Sequence, residues 1–178
     1  MSSARPPARR SGGPALVLVG PPGAGKTSVG RRTAELLGVE FRDTDTDIER
    51  TAGKPVRDIF LDEGEEHFRA LERAAVARAL REHTGVLALG GGAVLAPELR
   101  DALRGHTVVF LSVELADAVE RVGLATSRPV LMLNPRATLK TLLDGRRPLY
   151  EEVAVATVVT DGRAVDDVVA DVLRVLDP

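Results

Sequence analysis

Cysteine and tryptophan are both absent from this chain of 178 residues. Without cysteine there is no disulfide, no thiolate nucleophile and no thiolate metal ligand, and the composition fits a reducing compartment. Aromatic residues make up 3%, which leaves few stacking platforms for single-stranded nucleic acid. Charge of one sign is not in excess: 24 Lys and Arg face 26 Asp and Glu, for a formal net charge of -2. The global basic field that would recruit nucleic acid or an anionic membrane is therefore missing. No apolar run approaches the ~20 residues that a membrane-spanning helix requires. The first thirteen residues hold Arg5, Arg9 and Arg10 among prolines, serines and glycines. They lack the continuous apolar segment of a secretory signal and read as a disordered tail over residues 1–13. A cytoplasmic enzyme, monomeric and acting on small molecules, is the expectation.

What is present is concentrated in one motif. Gly20-Pro21-Pro22-Gly23-Ala24-Gly25-Lys26-Thr27 is a complete G-x-x-x-x-G-K-[ST] phosphate-binding loop. It follows the apolar run Ala15–Val19, and behind it Val29, Thr33, Leu36 and Leu37 recur at helical spacing. In that context the glycines let the backbone wrap an oligophosphate, with N–H groups of the loop and of the helix start pointing inward. Pro22, Gly23, Ala24, Gly25, Lys26, Thr27 and Ser28 are thus candidate nucleotide-binding residues. Lys26 supplies a cation, and Thr27 offers a hydroxyl to Mg²⁺. The loop predicts binding of a nucleoside triphosphate.

From residue 14 onward strand-like and helix-like segments alternate. Strands are expected near 15–19, 39–42, 86–89, 107–112 and 153–159. Helices are expected behind the loop, over 64–82, 97–104 and 114–122, from a cap at Asn134-Pro135 to about Leu143, and at the end around Val165, Val168, Val169, Leu173 and Leu176. Short apolar strands alternating with helices imply one α/β domain, residues 14–178, with a parallel sheet covered by helices on both faces. Ligands of such sheets lie beyond the carboxyl ends of the strands.

The strand-ending residues therefore carry the chemistry. Asp43-Thr44-Asp45-Thr46-Asp47 follows the second strand. In extended backbone Asp43 and Asp45 point the same way. One carboxylate can hold Mg²⁺, directly or through water, and the other can take the proton of a substrate alcohol. Asp47 is a candidate cap for a helix starting at Ile48, and all three acids can equally be turn and capping residues. Gly90-Gly91-Gly92 ends the third strand, where a ligand can approach the backbone closely or the chain simply turns. Arg69, with Glu72 three positions on, and Arg146, just ahead of the last strand, are candidates to hold a carboxylate. Arg128, in Ser127-Arg128-Pro129 within an irregular stretch over about 122–134, suits a mobile lid that brings an arginine to a transferring phosphoryl group. His67, His83 and His106 have no metal-ligand spacing.

Taken in order, these motifs resemble the shikimate kinase family. The resemblance rests on the phosphate loop, Asp43-Thr44-Asp45, Phe68-Arg69-Ala70-Leu71-Glu72, Gly90-Gly91-Gly92, Arg128-Pro129 and Arg146-Arg147-Pro148-Leu149-Tyr150. It implies a three-layer P-loop fold with a five-stranded parallel sheet and a mobile lid. The implied reaction is transfer of the γ-phosphoryl of ATP to the 3-hydroxyl of shikimate with Mg²⁺, in aromatic amino-acid biosynthesis. By that likeness Lys26 holds the β- and γ-phosphates, Thr27 ligates Mg²⁺ and Asp43 supports it through water. Asp45 meets the reacting hydroxyl, Arg69 and Arg146 clamp the carboxylate, and Gly91 and Gly92 contact the substrate through backbone. Arg128 closes over the phosphates, while Arg121 and Arg163 border the adenine. The chain departs from the family pattern in carrying Arg147 beside Arg146, Val130 after Arg128-Pro129, and no proline in 161–165. A small-molecule kinase for gluconate or a nucleoside is the alternative, and a non-catalytic nucleotide-binding module the next.

Overall fold

In the computed structural model residues 12–123 and 135–177 are described. The lid stretch with Arg128, and the tail over residues 1–11, lie outside them. At the centre is β1 (Leu16–Val19), whose four side chains are all buried. Next come α1 (Lys26–Leu37), β2 (Phe41–Asp43), α2 (Thr44–Ala52), α3 (Val56–Glu82) and β3 (Val86–Ala88). A 3₁₀ turn (Ala93–Leu95), α4 (Pro97–Leu103), β4 (Val108–Ser112), α5 (Leu115–Gly123), α6 (Pro135–Val153), β5 (Ala156–Val159) and α7 (Val165–Leu176) complete the order. The five strands are all parallel in the order β2-β3-β1-β4-β5. Register pairs Leu16 with Val86 and Val17 with Val108. Connections leave β1 toward β2 and β3 toward β4, so the chain changes direction across the sheet beside β1, where ligands of open α/β sheets bind. The phosphate loop begins there.

Alternation along the strands divides the core in two. Leu16, Leu18, Val109, Leu111 and Val158 face Val29 and Ala34 of α1 and Val168, Val169 and Val172 of α7. Val17, Leu87, Val108 and Phe110 face Val76, Ala79 and Leu80 of α3 and Leu99 and Leu103 of α4. Helix α6 takes part in both, giving Leu139 and Leu143 to the first cluster and Tyr150 to the second. A third, smaller cluster of Ile48, Val56, Ile59 and Phe68 joins α2 to α3. Among the described residues no helix is long and apolar enough to cross a membrane.

Several boundaries differ from those expected. The second strand is Phe41–Asp43, and α2 starts at once at Thr44. Asp43 and Asp45 therefore do not share an extended segment: Asp43 caps α2 and Asp45 lies in its first turn. Asp47 is no cap; it sits inside α2 and pairs with Arg42 at 2.6 Å. The helix expected from Gly64 begins at Val56 and bends at Gly64, whose φ of 86° and ψ of 168° interrupt it. That backbone favours glycine. The helix expected to stop near Leu143 runs through Pro148 to Val153, so Arg146 is helical and does not stand in a loop before β5. Leu139, Leu143, Arg146 and Tyr150 are all buried. They form one helical stripe, and its burial outweighs the hydrogen bond that Pro148 cannot donate. The final strand starts at Ala156, three residues later than expected. Leu36 and Leu37 are 52% and 40% exposed, so the buried face of α1 is Val29, Gly30, Thr33 and Ala34.

Candidate active site

The phosphate loop turns from β1 into α1 through Gly23 and Gly25, whose φ angles are 82° and 89°. Gly25 is the N-cap and contributes no side-chain hydrogen bond. The first-turn N–H groups of α1, from Lys26, Thr27 and Ser28, are left for an anion. Pro22 and Ala24 are buried beneath the loop. Lys26 arches back over it: its ammonium donates to the carbonyls of Gly20 at 2.6 Å and Pro21 at 3.0 Å. That places a positive charge above the loop.

Thr27 Oγ1 donates to Asp43 Oδ2 at 3.3 Å, linking the start of α1 to the end of β2. The other oxygen, Asp43 Oδ1, accepts the backbone N–H of Asp45 at 2.9 Å. Burial pushes the Asp43 carboxyl above its ordinary range, and the neighbouring charge of Asp45 adds to this. The Asp45 N–H, Lys26 and the Thr27 hydroxyl oppose the rise. The donors, one hydroxyl and one carboxylate, are hard oxygens that suit Mg²⁺, an ion that fills its shell with phosphate oxygens and water.

On the far side of Asp45 the Gly90–Gly92 turn meets α2 and α3. A methyl group placed on Gly90 would lie 2.7 Å from Asp45 Oδ1 and 2.9 Å from Glu72 Oε2, so both carboxylates rest against this backbone. One placed on Gly92 would overlap the Arg69 guanidinium. The turn is glycine-rich because charged side chains lie directly on it. Arg69 is oriented by Glu72 at 2.8 Å and by Glu65 at 3.3 Å. Its Nε is buried without a hydrogen-bond partner among the described residues. Gly90 N donates to the buried Thr44 hydroxyl at 3.3 Å. Arg146 is 8% exposed and lies one turn before Tyr150.

Arg121 bonds to Gly23 O at 2.9 Å and to the Thr160 hydroxyl and carbonyl at 3.1 Å and 3.0 Å. It therefore stands where the phosphate loop meets the β5–α7 turn. Arg163 does not join that group. It bonds to Val159 O, Asp167 O and Asp171 Oδ2 and fastens β5 to α7. Arg147 lies over the Phe110 ring at 5.8 Å and 3.9 Å from Glu114, whereas Arg146 of the pair is buried. Two latches escaped the sequence: Asp161 accepts Glu114 N at 2.7 Å, and Asp117 accepts Gly162 N at 3.0 Å. Another is Tyr150, which donates to Gly91 O at 2.5 Å. Its four-residue spacing from Arg146 was the available signal, hidden by the intervening Pro148.

Comparison with known proteins places the chain among one group of relatives. The family model described as shikimate kinase matches residues 22–177. A shikimate kinase of Salinispora arenicola is 68% identical over 163 residues, covering 92% of this chain and 98% of the relative. One of Thermobifida fusca is 60% identical over 147 residues, covering 83% and 86%. Among solved structures, shikimate kinase from Acinetobacter baumannii in complex with shikimate superposes with a TM-score of 0.88 at 39% identity, covering 93% of each chain. A P-loop kinase core with acid, arginine and glycine backbone grouped beside it, matched over nearly its whole length by these relatives, places the chain in the shikimate kinase family.

Proposed function

We propose that the enzyme transfers the γ-phosphoryl of ATP to the 3-hydroxyl of shikimate, with Mg²⁺, as a step toward aromatic amino acids. The observation that carries this reading is the convergence of Asp45 and Arg69 on the Gly90–Gly92 turn, next to a phosphate loop already tied to Asp43. An acceptor bearing both an alcohol and a carboxylate matches those groups. Arg69, held by Glu72, and the buried Arg146 bind the carboxylate. Asp45 positions the hydroxyl and accepts its proton as it attacks. The loop N–H groups and Lys26 hold the β- and γ-phosphates and stabilise the charge that develops during transfer. Thr27 and Asp43 would hold Mg²⁺, which neutralises phosphate charge. Arg121 borders the nucleoside. Arg128, outside the described residues, is assigned by resemblance to the transferring phosphoryl group; Arg163, which the resemblance sets beside the adenine, also fastens β5 to α7. The enzyme is placed in the cytoplasm as a monomer; a chain without cysteine suits that reducing compartment.

A coupled ADP-release assay with ATP and Mg²⁺ across shikimate, quinate, gluconate and nucleosides tests the assignment. Shikimate should give the highest kcat/KM. A preference for gluconate or a nucleoside overturns the acceptor and keeps the kinase, whereas nucleotide binding with no transfer to any acceptor overturns both.

A further inference from the structure

The peptide unit between Gly91 and Gly92 is flanked by two residues without a Cβ, so local sterics do little to restrict its rotation. Both residues are buried. Among the described residues neither Gly91 N nor Gly92 N donates a hydrogen bond, in contrast to Gly90 N, which donates to the Thr44 hydroxyl. Buried amides left in this way are rare and call for a partner. The carbonyl of the same unit is held: Tyr150 Oη donates to Gly91 O at 2.5 Å. The Tyr150 ring is 1% exposed and stacked on Phe110 of β4, with centroids 5.0 Å apart. The hydroxyl is thus carried on a rigid support from the centre of the sheet.

A peptide unit is planar and trans, so its C=O and N–H point in opposite directions. Fixing the Gly91 carbonyl toward Tyr150 therefore fixes the Gly92 N–H away from it. Gly92 is also the residue against which the Arg69 guanidinium packs. We infer that Tyr150 is a positioning residue for the acceptor: its hydroxyl locks the Gly91–Gly92 peptide so that the Gly92 amide is presented to the substrate beside Arg69. The same side chain ties α6, and with it Arg146 one turn earlier, to the glycine turn. Backbone donor and arginine are thereby held in one frame. This inference rests on the proposed function for the identity of the acceptor.

The test is Tyr150→Phe, which keeps the stacked ring and removes only the hydroxyl. Losing one hydrogen bond that orders a ligand site should raise the shikimate KM roughly three- to tenfold, with ATP KM unchanged. The Gly92 amide should show microsecond-to-millisecond exchange by ¹⁵N relaxation dispersion in the variant and none in the wild type. Phe110→Leu is the control. It removes the ring support while leaving the hydroxyl, and should lower Tm with a smaller change in shikimate KM than Tyr150→Phe. An unchanged shikimate KM in Tyr150→Phe overturns the inference, as does an equal rise in both KM values with a quiet Gly92 amide. A wild-type enzyme inactive on shikimate but active on another acceptor is the distinct failure of the proposed function; the KM split is then read on that acceptor.

Discussion

Asp43 Oδ1 accepts the backbone N–H of Asp45 at 2.9 Å, so the residue facing the Thr27 hydroxyl also caps the helix that carries Asp45. One carboxylate thereby joins the start of α1 to the first turn of α2. The two acids are neighbours in charge as well, since Asp45 helps to raise the Asp43 carboxyl.

That rise has a defined sign. The native state holds the Asp43 proton more tightly than the unfolded chain does, so the group's contribution is fullest below the ordinary value of 3.8 and falls as pH climbs through the raised native value. Asp43→Asn keeps an oxygen for the Asp45 N–H and removes the buried charge. Without Mg²⁺, Asp43→Asn should melt at a higher temperature than wild type near neutral pH, with the gain shrinking toward acid pH. Its turnover should fall and need more Mg²⁺. A gain in Tm that is equal at all pH values would show that the carboxyl is not strained by burial.

Asp45→Asn retains shape and loses the proton acceptor. Its kcat should drop by roughly 10²–10⁴, the range for a positioned acid–base group. The Mg²⁺ dependence should stay close to that of wild type. Steady-state titrations of Mg²⁺ and shikimate on both Asn variants distinguish the two acids, and a reversed pattern would exchange their roles.

For Arg69→Ala two losses should appear together. Shikimate binding should weaken by about 1.5–3 kcal/mol as a charge-assisted contact disappears. Stability should fall too, because Glu72, with its side chain 3% exposed, loses the guanidinium that stands 2.8 Å from it. Adding Glu72→Gln should recover much of the Tm and none of the binding. Calorimetry for Kd and melting for Tm check both, and recovery of binding in the double variant would contradict the clamp.

Gly92→Ala should fold, because the group its methyl meets is the far end of the flexible Arg69 side chain. Displacing that guanidinium should raise shikimate KM while ATP KM holds. A variant with normal shikimate KM would mean that Arg69 reaches its substrate from another position.

Lys26→Ala should nearly abolish turnover with little change in fold, since the ammonium donates to the carbonyls of Gly20 and Pro21 in its own loop and fills no part of the apolar core. Circular dichroism and the ADP-release assay decide it together; near-normal turnover in a folded variant would remove Lys26 from the phosphate site.

Local chemistry made much of this molecule readable before any coordinates. The loop from Gly20 to Thr27 needs only its own glycines, lysine and flanking elements, and it folded as its spacing implied. The parallel sheet followed from short buried strands such as Leu16–Val19 alternating with helices. The family was legible because its motifs recur in order. What tertiary structure decided were relationships between distant segments. Helix α6 continues through Pro148 because Leu139, Leu143, Arg146 and Tyr150 are buried together, an energy that no local propensity contains. Asp43 became a cap because β2 ends one residue before α2 begins. Arg163 took partners on β5 and α7, and Tyr150 reached the Gly91 carbonyl 59 residues away in the chain. Periodicity and turn chemistry act over a few residues, so the sequence by itself determined the elements and the loop; which side chains share a site was settled only when the sheet brought its strand ends together.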